Sequence, residues 1–372
     1  MFLRRHAIDP CDTAPAATFQ KRKGHVLDAR PAFSLPGKAS SSSSILSTFK
    51  RKKVQVCVEE KVDDLKVKFH QIDVENKTQM QQVPRVEFGR FDMETWYPSP
   101  YPKSFYPQDK MFVCENCLGY TATKRLLEHH RAGDCPLSKK GPPGRKVYDE
   151  PVVDVAPSAS HSSSSLNLVE VDGKESPVYC QNLCLFAKLF MDQKTLYFDV
   201  GLFWFYVLSI SDRDGVHPVG YFSKEKENTD HYNLSCIVVF PPYQRQGYGA
   251  LLISLSYEIT KREGAVGTPE KPLSAMGRAA YVDYWRFVLL THLSKMKTAK
   301  ALVSIDSLSH ATGILPSDVV DTLHACPGLL VDRNTKKNQV AIHSDVLRTQ
   351  VEALRPVRLC RPRQLKWKKA SS

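Results

Sequence analysis

The chain has 372 residues, 42% of them hydrophobic, and a formal net charge of +13. That is apolar material for one large domain with tails or two small domains, and no run approaches the roughly 20 apolar residues of a membrane span. Met1-Phe2-Leu3-Arg4-Arg5-His6 is no secretory stretch and the ten cysteines form no compact framework, so a reducing compartment is expected, and the positive charge fits an anionic environment such as chromatin without being specific to it.

Residues 1–81 are poor in aromatics and hold the run Ser40 to Ser44, with basic clusters at Lys21-Arg22-Lys23 and Lys50-Arg51-Lys52-Lys53. This composition predicts a basic, largely disordered region whose clusters are import signals, nucleic-acid patches or plain solvated charge. Val54 to Val74 alternates partly, with room for a strand or two. Its chief aromatic is Phe69, too few for a methyl-lysine cage.

Cys114-Glu115-Asn116-Cys117 is followed after twelve residues by His130 and after four more by Cys135. Thiolates and an imidazole at this spacing predict a tetrahedral, structural zinc site of Cys114, Cys117, His130 and Cys135, with His129 as the alternative ligand. Only Lys124 and Arg125 are basic between the second cysteine and the histidine pair. A DNA-reading finger needs a basic recognition helix and a second histidine, so a scaffold is favoured. Residues 149–166, with Ser162 to Ser165, lack an apolar period and read as a surface loop. Val169-Glu170-Val171-Asp172-Gly173 resumes a strand-turn pattern, and Phe203 to Leu208 is a buried segment.

Cys236-Ile237-Val238-Val239-Phe240 reads as a buried strand, ended by Pro241-Pro242 because neither proline can donate to a ladder. A helical period opens near Tyr248, with Leu252, Leu255 and Ile259 on one face. The loop between carries Gln244, Arg245, Gln246, Gly247 and Gly249. Glycines allow close backbone approach, and a helix N-terminus offers amides to an anion, which makes this a candidate pyrophosphate cradle. Cys236 before it is a potential acyl-accepting nucleophile or a small buried hydrophobe. Glu270, after the helix, is either a solvated loop glutamate beside Lys271 or a general base: if the substrate is a lysine, its amine titrates near ~10.4 and must lose a proton before it attacks a thioester.

After Trp285 the chain reads as helical through Phe287, Leu289, Leu290, Leu293 and Met296. Ser307 to Leu330 reads as helix, turn, helix, with Ser317-Asp318 capping the second helix and Val319, Val320, Leu323 and Cys326 on one face. Gln339-Val340-Ala341-Ile342 would be a following strand. Arg355, Arg358, Arg361, Arg363, Lys366, Lys368 and Lys369 crowd the C-terminus; residues 361–372 read as a basic tail able to touch DNA non-specifically.

Several motifs together resemble the catalytic domain of the MYST family of histone lysine acetyltransferases, over about Val86 to beyond Val340. They are Tyr179 to Phe190, Asp192 to Val200, Val219 to Glu227, the cradle, Gly267 to Ser274, and Tyr284-Trp285. The stretch from Val86 is similar to the family's opening strands, and Gly141 to Tyr148 to its exit from the finger. The resemblance implies an α+β fold: an acetyltransferase (GNAT-like) core in 167–290, a zinc finger subdomain before it in 112–137 and a helix-turn-helix-like segment after it in 291–350. It implies that Cys236 is the active-site cysteine, Glu270 the base and Lys194 an autoacetylated lysine. It also implies acetyl-CoA contacts at Ile237, Val238, Val239, Gln244, Arg245, Gln246, Gly247, Tyr248, Gly249, Ala250 and Ser274. Ala250 stands where many members carry a lysine, and Asp283 where a serine is usual. The expected activity is acetyl transfer from acetyl-CoA to lysines of histone tails and nucleosomes, in the nucleus and inside a chromatin-modifying complex. A non-catalytic chromatin- or DNA-binding module and an acetyltransferase for non-histone proteins stay open as alternatives.

Overall fold

The computed structural model describes residues 54–60, 67–72, 82–106, 108–138, 140–152, 164–192, 199–296, 302–334 and 338–369. Both N-terminal basic clusters, Lys194 and residues 153–163 of the serine insert lie outside them. Within 1–81, β1 (Val54–Glu60) and β2 (Val67–Ile72) form an antiparallel pair.

β3 (Arg85–Phe88), β4 (Phe91–Glu94), β5 (Lys110–Val113) and β6 (Tyr120–Thr121) make a sheet in the order β4-β3-β5-β6. Alternation fixes the register of β3 and β5: Val86, Phe88, Met111 and Val113 are buried and the other residues of these two strands are half-buried. The short helix α1 (Lys124–His129) follows.

Next come β7 (Arg145–Val152), β8 (Ser164–Asp172), α2 (Pro177–Lys188), β9 (Phe203–Ser211), β10 (Val216–Glu225), β11 (Tyr232–Leu234) and β12 (Cys236–Val239). Five of these strands form the main antiparallel sheet, β12-β10-β9-β8-β7. The serine insert is therefore shorter than the composition suggested: strand pairing carries β7 to Val152 and β8 back from Ser164. On α2, Cys180, Leu183, Phe186 and Ala187 are fully buried. The Phe186 ring lies 4.6 Å from Phe88 and 4.9 Å from Phe240, tying α2 to both sheets.

α3 (Tyr248–Arg262) packs Leu251, Leu252, Leu255 and Ile259 into the same core. β13 (Thr268–Pro269) pairs in parallel with β11. α4 (Ala275–Ser294) begins ten residues before Trp285, where the period had suggested a start. Its first turns hold Gly277 and an exposed Met276, which hide the apolar stripe, while Ser274 caps it by accepting from the Gly277 amide at 3.1 Å.

β14 (Leu302–Ser304), α5 (Ile305–Thr312), α6 (Pro316–His324), β15 (Leu330–Asn334), β16 (Gln339–Ile342) and α7 (Ser344–Glu352) complete the chain. The three strands form a sheet in the order β14-β16-β15. Ile305, Leu308, Ile314, Val319 and Leu323 share a second core with Leu289, Leu290 and Leu293 of α4. Ser317 and Asp318 do not cap α6. Leu315 holds that position and Pro316 is the first helical residue, where its missing amide costs nothing. Asp318 is instead buried in the first turn, 3.4 Å from the Lys271 ammonium. Among the described residues no helix is long and apolar enough to cross a membrane.

The C-terminal residues up to Lys369 are not a free tail. After a 3-10 turn at Pro362–Gln364, Leu365 and Trp367 are buried, while Lys366 between them and Lys368 after them face out. The Lys366 amide donates to the Val147 carbonyl at 2.7 Å, and Arg145 donates to the Lys368 carbonyl at 2.9 Å.

Candidate active site and metal centre

Two glycines set one wall of the candidate site. At Gly220 on β10 a Cβ would lie 2.3 Å from the Val238 carbonyl oxygen, so only glycine lets β12 pair here. That pairing sets Ser223 opposite Cys236, and the Cys236 amide donates to Ser223 Oγ at 3.2 Å. At Gly267 a Cβ would lie 2.7 Å from Asn233 Cβ, so glycine lets β13 lie against β11. The Glu270 amide then donates to the Leu234 carbonyl at 2.8 Å. The turn between α5 and α6 grips the same segment, since Gly267 donates to the Gly313 carbonyl at 2.8 Å and accepts from the Leu315 amide at 3.0 Å.

A cleft of about 820 Å³ opens between these elements. Its wall brings together Cys236, Ile237, Val238, Val239, Gln244, Arg245, Tyr248, Gly249, Glu270 and Ser274. Gln246, Gly247 and Ala250 are not on that wall. The Gln246 side chain donates to the Pro242 carbonyl at 3.1 Å, and Gly247 is the left-handed N-cap of α3, with φ of 82°. No side chain caps α3, which leaves its first amides facing outward from the helix start. Gln244 Nε2 donates to the Val239 carbonyl at 2.9 Å and fastens the loop to β12. Ser235 Oγ and the Tyr281 hydroxyl border the cleft, buried and without a hydrogen-bond partner among the described residues.

The far wall was not read from the sequence. Trp96, Tyr97, Phe190, Met191 and Asp192 line it. Lys188 organises this edge: its buried ammonium donates to the Met191 carbonyl at 3.2 Å and the Asp192 carbonyl at 2.8 Å, 5.8 Å over the Tyr97 ring. Burial lowers its pKa.

In the finger, the ligand atoms of Cys114, Cys117, His130 and Cys135 all lie within 4.8 Å of one another. His130 turns Nε2 toward Cys117 Sγ at 3.1 Å, whereas His129 is exposed. Hydrogen bonding from Cys117, then Cys135, holds the Cys114 thiol well below its usual range. Three sulfurs and one imidazole, with no fifth position required, fit a structural zinc ion. The ion would cross-link β5 to the turn after α1, a task a core as small as Cys114, Leu127 and Cys135 cannot do alone. Glu115 then anchors the finger: its carboxylate receives His217 at 3.1 Å and Arg131 at 3.4 Å.

The MOZ/SAS family profile matches residues 141–364, well over half of the chain, and the MYST family zinc finger domain matches residues 80–135. The chain belongs to the MOZ/SAS (MYST) family. It is 44% identical over 272 residues to histone acetyltransferase of the MYST family 1 from Arabidopsis thaliana, covering 71% of this chain and 57% of that protein. It is 45% identical over 242 residues to Homo sapiens histone acetyltransferase KAT6A, covering 64% of this chain and 11% of that protein. With Drosophila melanogaster histone acetyltransferase MOF it shares 41% over 251 residues, 68% and 28% respectively. The chain thus spans little more than half of the plant relative and a small part of the animal ones.

Proposed function

We propose that this MYST-family chain transfers acetyl from acetyl-CoA to lysine amines of histone tails. The observation that carries the reading is one cleft holding the Glu270 carboxylate, the Cys236 thiol and the uncapped start of α3. The nucleotide end of the donor lies against the amides of α3 near Arg245, Tyr248 and Gly249, and the acyl end points along β12 toward Cys236. An acceptor lysine arrives charged, since its amine titrates near ~10.4. Glu270 takes its proton, the free amine attacks the thioester carbonyl, and the tetrahedral intermediate collapses by breaking the C–S bond, so that an amide forms and coenzyme A leaves as a thiolate that takes up a proton. Amides of β12 are placed to steady the oxyanion. Direct attack needs only Glu270; Cys236 is required only if acetyl passes through a thioester on the enzyme.

Action on chromatin within a nuclear complex follows the same reading. The exposed Arg355, Arg361, Arg363, Lys366, Lys368 and Lys369 suit non-specific contact with DNA phosphate. Lys194 is proposed as an autoacetylation site, to be read by mass spectrometry after incubation with acetyl-CoA. The deciding experiment incubates the protein with core histones and labelled acetyl-CoA and maps the label. Transfer by the wild type and its loss in Glu270→Gln is the expected result. No label on any histone lysine would overturn the reading.

A further inference from the structure

The segment after α7 lies against α3 and returns to β7, and its fastenings are specific. The Cys360 amide donates to Ser254 Oγ of α3 at 3.0 Å. Arg262, also on α3, donates to the Pro362 carbonyl at 2.7 Å and the Leu365 carbonyl at 2.6 Å. The Arg361 amide donates to the Tyr148 hydroxyl at 3.1 Å, and its guanidinium pairs with Glu150 at 2.9 Å. Just upstream of these points, the stem of Arg358 runs over the N-cap of α3. A Cβ on Gly247 would lie 3.1 Å from Arg358 Cβ and 3.4 Å from its Cδ. The guanidinium stands 4.7 Å from the centre of the Tyr248 ring, the first residue of the helix. Arg358 is half-buried, and among the described residues it has no carboxylate partner, unlike Arg361 and Arg262.

Resting on the reading of the cleft given above, we propose that Arg358 binds a phosphate of the nucleotide end of the acyl donor, beside the first amides of α3. A cation held at an uncapped helix N-terminus adds its positive potential to that of the dipole, a juxtaposition unfavourable by itself that an anion would relieve. Stacking on Tyr248 fixes the planar fork before the ligand arrives, so little side-chain freedom is lost on binding. The fork then offers two parallel N–H donors to phosphate oxygens. Gly247 is required for this geometry as well as for its own left-handed backbone, because any side chain there would displace the arginine stem. The C-terminal segment thereby becomes a wall of the donor site.

The test compares the full wild-type chain with Arg358→Gln and Arg358→Lys. Calorimetry with coenzyme A is expected to give a Kd about ten-fold weaker for Arg358→Gln, the size of a charged hydrogen-bonded contact in a half-exposed setting. Arg358→Lys, which keeps charge but not the fork, falls between. In turnover, kcat/KM with acetyl-CoA drops by about the same ten-fold factor, while kcat/KM with S-acetylpantetheine, which carries no phosphate on its alcohol end, is unchanged. An unaltered coenzyme A Kd in Arg358→Gln overturns the proposal alone. So does an equal loss with S-acetylpantetheine, which would mark a general packing defect. Failure of the wild type to bind coenzyme A at all removes both the proposal and the reading beneath it.

Discussion

Gly267→Ala tests how tightly Glu270, the proposed base, is held. The added Cβ would lie 2.7 Å from Asn233 Cβ, 3.0 Å from Asn233 Cγ and 3.2 Å from the His231 carbonyl oxygen. The closest contact is about 0.7 Å short of ordinary van der Waals separation, which begins near 3.4 Å. Asn233 is buried on β11, between Tyr232 and Leu234, both in register with β13. The side that can give is β13, and Glu270 is one residue beyond its end. A displacement near 1 Å of a catalytic group costs on the order of 10²-fold in rate, so with Glu270 as the proposed base kcat is expected to fall roughly 30- to 100-fold. Overpacking itself should cost about 1–3 kcal/mol of stability. The assay is kcat at saturating acetyl-CoA and histone substrate, normalised to the folded fraction from near-UV circular dichroism. The coenzyme A Kd serves as control and should not move, since the start of α3 is untouched. A kcat within two-fold of wild type at equal folded fraction would refute the steric reasoning.

Three further outcomes follow from the same geometry. Glu270→Gln should lower the rate at neutral pH by about 10²- to 10⁴-fold, and the loss should shrink about ten-fold per unit as pH rises toward the amine pKa near ~10.4; a pH-independent deficit would take the base role from Glu270. Ser274→Ala removes the α4 cap and should cost about 1 kcal/mol in denaturant unfolding, with Ser274→Asp restoring it; equal midpoints for all three proteins would show that the cap adds nothing. Strong chelators or Cys135→Ser should abolish one equivalent of bound zinc and lower the melting temperature, whereas His129→Ala should keep the metal; zinc lost in His129→Ala but kept in His130→Ala would exchange the ligands.

The features legible in the sequence are those with a local physical signature. Cys114, Cys117, His130 and Cys135 converge as their spacing required. Val239, Pro241 and Tyr248 mark the strand end, the 3-10 turn and the helix start, because proline and period act within a few residues. What could not be read is tertiary. The Trp96 to Tyr97 wall lies far from the cradle in sequence and meets it only through the cleft. The start of α4 was obscured because Met276 faces solvent, so its first turn has no apolar stripe. The α6 cap was misplaced because Ser317 and Asp318 have the usual capping side chains, while Pro316 had already fixed the first turn.

The C-terminal segment shows how composition can mask structure. Seven cations in fifteen residues read as a solvated tail, because charge density usually outweighs a few apolar groups. Cys360, Leu365 and Trp367 are nevertheless 8%, 3% and 6% exposed, and the last two alternate with Lys366 and Lys368 as an edge strand would. Their burial anchors a polar hub: the carboxylate of Glu170 on β8 accepts from Trp367 Nε1, from the Tyr206 hydroxyl at 2.9 Å and from Arg145 at 2.6 Å. A buried carboxylate with three donors is satisfied: Oε2 takes Trp367 and Tyr206, while Oε1 takes Arg145, whose loss would leave that oxygen without a side-chain donor. The segment's path is therefore fixed by the fold, and its cations are displayed at defined places. Arg358 alone among them is turned onto the start of α3, so its position can be selected for ligand binding in a way that the charge of a mobile tail cannot.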